Sequence, residues 1–142
     1  MARLVLDTNS LIQSIAHRSP YHDLWLSFLD GRNSLCVSND ILEEYAEILE
    51  QKASAKFSNL AIEVIINNPH TIFVTPYYKF SIIINDPDDN KFIDCAIAGQ
   101  AKFIVTEDTH FNILKELDFP KIEIIKLDNA LKWLQTKEFS TN

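Results

Sequence analysis

Two hydrophobic rhythms alternate along the chain. Short apolar runs without alternation recur at Leu4 to Leu6, Leu35 to Ser38, Thr71 to Thr75, Phe103 to Thr106 and Ile122 to Leu127. Such runs suit strands buried on both faces, as in a parallel sheet. Between them, apolar residues return every three or four positions, the spacing of one helix face. Leu11, Ile12 and Ile15 predict a first short helix, and Leu24, Trp25, Phe28 and Leu29 a second that Gly31 ends. Ile41, Leu42, Tyr45, Ile48 and Leu49 predict the clearest helix, from about Asp40 to Lys52, capped by Ser38, Asn39 or Asp40, with Glu43 as a capping-box partner of Asp40. A further helix is expected over 54–67, with Leu60, Val64 and Ile65 inward. Others are expected from the Asp86–Asn90 turn to about Ala101, through Phe111, Leu114 and Leu117, and after Asp128 or Asn129, either of which can cap it. The stretch from Tyr77 to Asn85 fits strand, helix start or extended linker equally. Strands separated by helical crossovers imply parallel pairing and a three-layer α/β/α sandwich. No repeat, low-complexity tract or linker interrupts the pattern, so one domain over 1–142 is expected, with a loose tail from about 137.

Composition narrows the chemistry. Only Gly31 and Gly99 are glycines, which excludes a glycine-rich phosphate loop. The net charge of −7 argues against a broad basic surface for nucleic acid, and fits an acidic pocket that a cation neutralises. Cys36 and Cys95 are far apart in apolar surroundings and read as buried thiols in a reducing compartment. The apolar start is short and leads into a strand, unlike a secretion signal, and no run reaches membrane-spanning length. A cytoplasmic location is expected.

The acids then fall at telling places. Asp7 directly follows the first apolar run, with Thr8 and Asn9 able to cap the next helix. In open α/β sheets ligands gather at the carboxyl ends of strands. Asp108 repeats that placement two residues after Thr106, with Glu107 as its rival and Thr106 and Thr109 as supporting hydroxyls. Counting about 100° per residue from Tyr45, the apolar stripe covers about 60° to each side, and Glu44 lies just past its edge. Glu43 and Glu47 fall on the wet face. In the helix after Pro87, Phe92, Ile93, Ala96 and Gly99 mark the inward side. Asp89 lines up with them one turn earlier, where the helix dipole favours a carboxylate, whereas Asp94 falls almost opposite. Asp86 and Asp88 read as outer ligands or turn formers. Oxygen donors of this kind suit a hard divalent cation. Each acid taken singly also reads as a cap or a solvated side chain. The four histidines show no metal-ligand spacing and read as surface or capping residues, with only His110, near Asp108, set apart. No serine sits in an elbow motif and neither cysteine has a base nearby in sequence.

The segments LVLDTNSLIQ (4–13), SNDILEEYAEIL (38–49) and DPDDNKFIDCAIAGQAKFIVTEDTHF (86–111) resemble the PIN-domain family, and within it the VapC-like toxins of bacterial toxin–antitoxin systems. The resemblance implies a five-stranded parallel sheet of order 3-2-1-4-5, with the strands ending at Asp7 and Thr106 side by side. It implies an acidic quartet of Asp7, Glu44, Asp89 and Asp108, with Asp94 and Asp86 as secondary candidates for the third place. It also implies a Mg²⁺- or Mn²⁺-dependent ribonuclease, often a homodimer, inhibited by a cognate antitoxin. Arg3, Arg18, Lys79, Lys91 and Lys102 are candidate contacts to an RNA backbone. The alternative within the family is a PIN-like module that binds a protein partner and cuts little or nothing. An aspartyl phosphotransferase fits poorly, because Asp7-Thr8-Asn9 lacks a second Asp two residues on.

Overall fold

The structure is a computed structural model that describes residues 2–83, 87–117 and 122–140. Five strands, β1 (Ala2–Leu6), β2 (Asn33–Val37), β3 (Thr71–Phe73), β4 (Phe103–Val105) and β5 (Glu123–Ile125), form one parallel sheet of order β3-β2-β1-β4-β5. β1 is central, and Leu4 pairs with both Leu35 and Phe103. Its unbroken apolar run follows from that place: Leu4, Val5 and Leu6 are buried with helices over both faces. The order reverses at β1, and right-handed crossovers then send the connections before and after it to opposite faces. The result is the expected three-layer sandwich.

The helices are α1 (Thr8–Ile15), α2 (His22–Leu29), α3 (Asn39–Lys52), α4 (Ala55–Asn67), α5 (Asn90–Ala98) and α6 (Leu127–Ser140), which runs past Lys137. Ser38 caps α3 by accepting the Ile41 N–H, so Ile41 takes the third helical position and Glu43 has no capping-box role. Pro87–Asp89 is one 3₁₀ turn before α5. Thr109–Glu116 is 3₁₀ rather than α, with Phe111 and Leu114 inward at a spacing of three.

Three expectations need correction. In α4 the inward residues are Ser58, Ala61 and Ile65, while Leu60 and Val64 face out, 53% and 42% exposed. α4 leans on α3 through a narrow seam in which Ser58 donates to the Ala46 carbonyl at 2.8 Å. Small residues permit that approach, and one partner helix covers only one stripe. Asp94 is buried, not opposite the core, because residues 77–83 cross over it and Phe80 N–H donates to its carboxylate at 3.1 Å. α6 starts at Leu127, one residue before the expected caps. Its Leu127 N–H donates to Glu107 Oε1 at 2.9 Å, and Asp128 instead accepts the Tyr21 hydroxyl. The stretch after Tyr77 is irregular as far as it is described.

Candidate metal centre

Asp7 stands where β1 gives way to α1. Its backbone is still extended, and one carboxylate oxygen caps α1 by accepting the Ser10 N–H at 2.8 Å. The other oxygen accepts the Thr106 hydroxyl, 99 positions away at the end of β4. The same hydroxyl accepts the Asp108 N–H at 3.0 Å. Thr106 thus pins both strand-end acids to each other at the reversal point of the sheet. Asp7 is only 7% exposed. Burial raises its pKa; the Thr106 and Ser10 hydrogen bonds oppose this, and the Asp108 charge adds to it.

Asp108 caps the 3₁₀ segment by accepting the His110 N–H at 2.9 Å. The His110 ring lies over the same acid, with Nδ1 3.4 Å from Asp108 Oδ1 and 3.8 Å from Asp89 Oδ2. Asp89 arrives there because the 3₁₀ turn Pro87–Asp89 ends as α5 begins. One donor atom from each of Asp89, Asp108 and His110 falls within 4.8 Å of the others.

Glu44 joins from α3. Thr8, next to Asp7, donates its hydroxyl to Glu44 Oε2, and Lys91 of α5 donates to Oε1 at 2.9 Å. Burial lowers the Lys91 pKa, but the Glu44 hydrogen bond and charge, with Asp88 and Asp40, carry it above the usual value. Beside Glu44 opens a cleft of about 580 Å³, lined by six carboxylates (Asp40, Glu43, Glu44, Glu47, Asp88, Asp94) and by two ammonium groups, Lys79 and Lys91. Burial raises the pKa of Asp94, against the Phe80 N–H and Lys79.

The structure therefore joins Asp7 to Asp108 through Thr106, and Asp108 to Asp89 around His110. Glu44 hangs beside Asp7 through Thr8. Asp94 belongs to the Glu44 cleft rather than to the Asp89–Asp108 pair, and Asp86 lies outside the described residues. Glu107, the rival of Asp108, is turned away to cap α6. The structure adds contacts of His110 and Lys91 to these acids. For His110 a signal existed, an imidazole two residues after a strand-end acid; for Lys91 nothing local announces Glu44, 47 positions away.

Of these groups, Asp89, Asp108 and His110 bring donor atoms close enough for one divalent cation. Bonds of about 2.1 Å place neighbouring donors about 3.0 Å apart and opposite donors about 4.2 Å apart. The 4.8 Å limit of the Asp89, Asp108 and His110 atoms needs only a small contraction. Thiol chemistry does not fit: Cys36 and Cys95 are buried and free, and burial pushes the Cys36 thiol up to about 11.

Several solved structures share the fold, three of them as follows. The Rickettsia felis VapBC2 complex bound to promoter DNA aligns at a TM-score of 0.61 with 16% identity, over 87% of this chain and 98% of that one. DNA-bound VapBC from Salmonella typhimurium aligns at 0.58 with 17% identity, over 89% and 99%. VapBC-1 from nontypeable Haemophilus influenzae aligns at 0.57 with 15% identity, over 89% and 98%. No curated protein matches by sequence. The PIN domain family model matches residues 3–110, and with the sheet order and the strand-end acids this makes the chain a member of the PIN-domain family.

Proposed function

We propose that the protein is a metal-dependent endoribonuclease and the toxin of a toxin–antitoxin pair. One observation carries the reading: the Thr106 hydroxyl joins the Asp7 carboxylate to the Asp108 backbone N–H at the sheet's reversal point, with Asp89 beside Asp108. Asp7 and Asp108 hold the cation in this reading, while Glu44 and Asp89 complete the cage or orient water. A bound Mg²⁺ or Mn²⁺ lowers the pKa of a water and neutralises charge on the scissile phosphate. Thr106 and the Ser10 N–H keep Asp7 from rotating away. Lys79 and Lys91 are the candidate contacts to the RNA backbone in the adjoining cleft, where six carboxylates outnumber them and Lys91 is paired with Glu44.

The partners follow the same reading. The aligned structures are VapBC complexes, which supports a cognate antitoxin as binding partner. A homodimer is supported by Phe57, Leu60 and Val64, an outward apolar stripe on α4. Two free buried thiols suit the cytoplasm. No described helix is long and apolar enough to cross a membrane.

A protein-binding module with little cleavage is the second reading. It is favoured by the Lys91–Glu44 pair, in which the chain supplies its own cation to one acid of the quartet. Incubating a mixed RNA pool with Mn²⁺ separates the two. Cleavage that disappears in Asp7→Asn supports the nuclease; equal behaviour of both proteins, without Mn²⁺ binding, supports the module.

A further inference from the structure

We propose that Tyr77 and Tyr78 form a stacking platform for the bases of single-stranded RNA, one cavity along from the acidic cleft. The inference rests on the nuclease reading above and names the form of RNA that the site takes.

The irregular segment after β3 carries the platform. Tyr77 is 96% exposed and Tyr78 69%, so the core makes little use of either ring. The backbone beneath them is nevertheless fixed. The Tyr78 ring meets the Phe80 ring edge to face at 4.6 Å, and the Phe80 N–H donates to the buried Asp94 carboxylate at 3.1 Å. Ser81 then takes a left-handed backbone, φ 52°, which turns the chain. Strain of this kind persists where the surroundings hold it and gathers at binding sites.

Continuity and charge select the occupant. Asp94 lines both the acidic cleft and a second hollow of about 550 Å³ walled by Phe73, Tyr77, Tyr78 and Phe80. Lys79, between the rings in sequence, lines the cleft beside Glu44. A strand leaving the acids therefore meets the rings next. In the cleft six carboxylates face two ammonium groups, which disfavours phosphate. The second hollow is balanced, with Asp94 against Arg3. Arg3 is exposed and fixed by Nη1 donating to the Gly99 carbonyl at 3.0 Å, and its fork has further N–H groups for a phosphate oxygen. Base stacking on aromatic rings adds affinity without a basic surface and tolerates any sequence. Only unpaired bases offer their faces in this way.

Fluorescence anisotropy of labelled oligouridylate tests this, with Mn²⁺ present and every protein carrying Asp7→Asn to spare the RNA. Tyr77→Ala is expected to weaken binding about tenfold and the double variant with Tyr78→Ala further, whereas Tyr77→Phe stays within about twofold. These ratios hold from about 50 to about 200 mM salt, because stacking releases no counterions. A strand of equal length without bases binds all the proteins alike. 2-Aminopurine within the strand is quenched on binding, and not by the double variant. Tyr77 touches so little of the fold that its single variant guards against a folding defect. Equal oligouridylate affinity in every variant, while the protein with Asp7 intact cuts RNA, overturns the platform and leaves the nuclease standing. Equal affinity with altered self-association assigns the rings to a protein interface and also overturns the platform. Ring-dependent binding with no cleavage by the protein with Asp7 intact keeps the platform and overturns the nuclease. A protein that neither binds nor cuts RNA overturns both.

Discussion

Two acidic regions lie side by side in this molecule and are held in different ways. Around Asp7 and Asp108 the neighbours are a hydroxyl, backbone N–H groups and an imidazole. Around Glu44 the neighbour is an ammonium, Lys91, in a part-buried ion pair. Neutral dipoles orient carboxylates without cancelling their charge, whereas an ion pair cancels it. The strand-end region is therefore the one suited to a cation from solution. The helix-side cleft, with six carboxylates against two ammonium groups, already spends one of those cations on Glu44.

The largest effect that tests this contrast belongs to Asp7→Asn. RNA cleavage in the presence of Mn²⁺ is expected to fall about 10²–10⁴-fold, the scale of one essential proton-handling or charge-holding group. Stability moves the other way. Burial raises the folded pKa of Asp7, so its ionisation opposes folding. Its contribution is lost as pH rises from the ordinary value of 3.8 through the raised folded value. Thermal melts of Asp7→Asn should match or exceed the parent at neutral pH, with the advantage fading toward acid. A lower melting temperature at pH 7 would contradict that sign.

Next in size is Tyr45→Phe. The fully buried Tyr45 hydroxyl donates to the Leu6 carbonyl at 2.5 Å, tying α3 to the residue before Asp7. Its loss leaves that carbonyl unsatisfied and is expected to cost about 1–3 kcal/mol in urea denaturation. Because the tether serves both regions, Mn²⁺ affinity should weaken as well. Lys91→Met has a smaller stability cost, about 1 kcal/mol or less for a part-exposed pair. It strips the cleft to six carboxylates and Lys79, so a second, weaker Mn²⁺ binding event should appear by calorimetry. One unchanged binding event would erase the distinction between the two regions. The smallest effect is Leu60→Ser on the open face of α4. Stability should shift by about 0.5 kcal/mol at most, while the proposed homodimer predicts that sedimentation reports a dimer for the parent and a monomer for the variant.

The strand-end acids were readable because their placement is local. A buried run followed by Asp7, or by Thr106 and Asp108, announces both a strand end and a cap. Glu44 was readable from angle alone, since it sits at the edge of a strong stripe on α3. Asp94 was misread for a reason outside its helix: residues 77–83, which carry no clear pattern, fold over it. Leu60 and Val64 were misread because their periodicity states only that one face is apolar. Whether a second helix covers that face depends on the neighbours available, and α4 has α3 through the Ser58–Ala61–Ile65 seam.

By itself the chain determined the alternation of strands and helices, the parallel sheet and the acids at strand ends, because propensity, periodicity and capping act within a few residues. The tertiary structure alone decided that Thr106 would join Asp7 to Asp108, that His110 would meet Asp89, that Lys91 would neutralise Glu44 and that Glu107 would turn to α6. Those meetings depend on how whole elements cross, and side chains brought together over such separations leave no local mark on the order of residues.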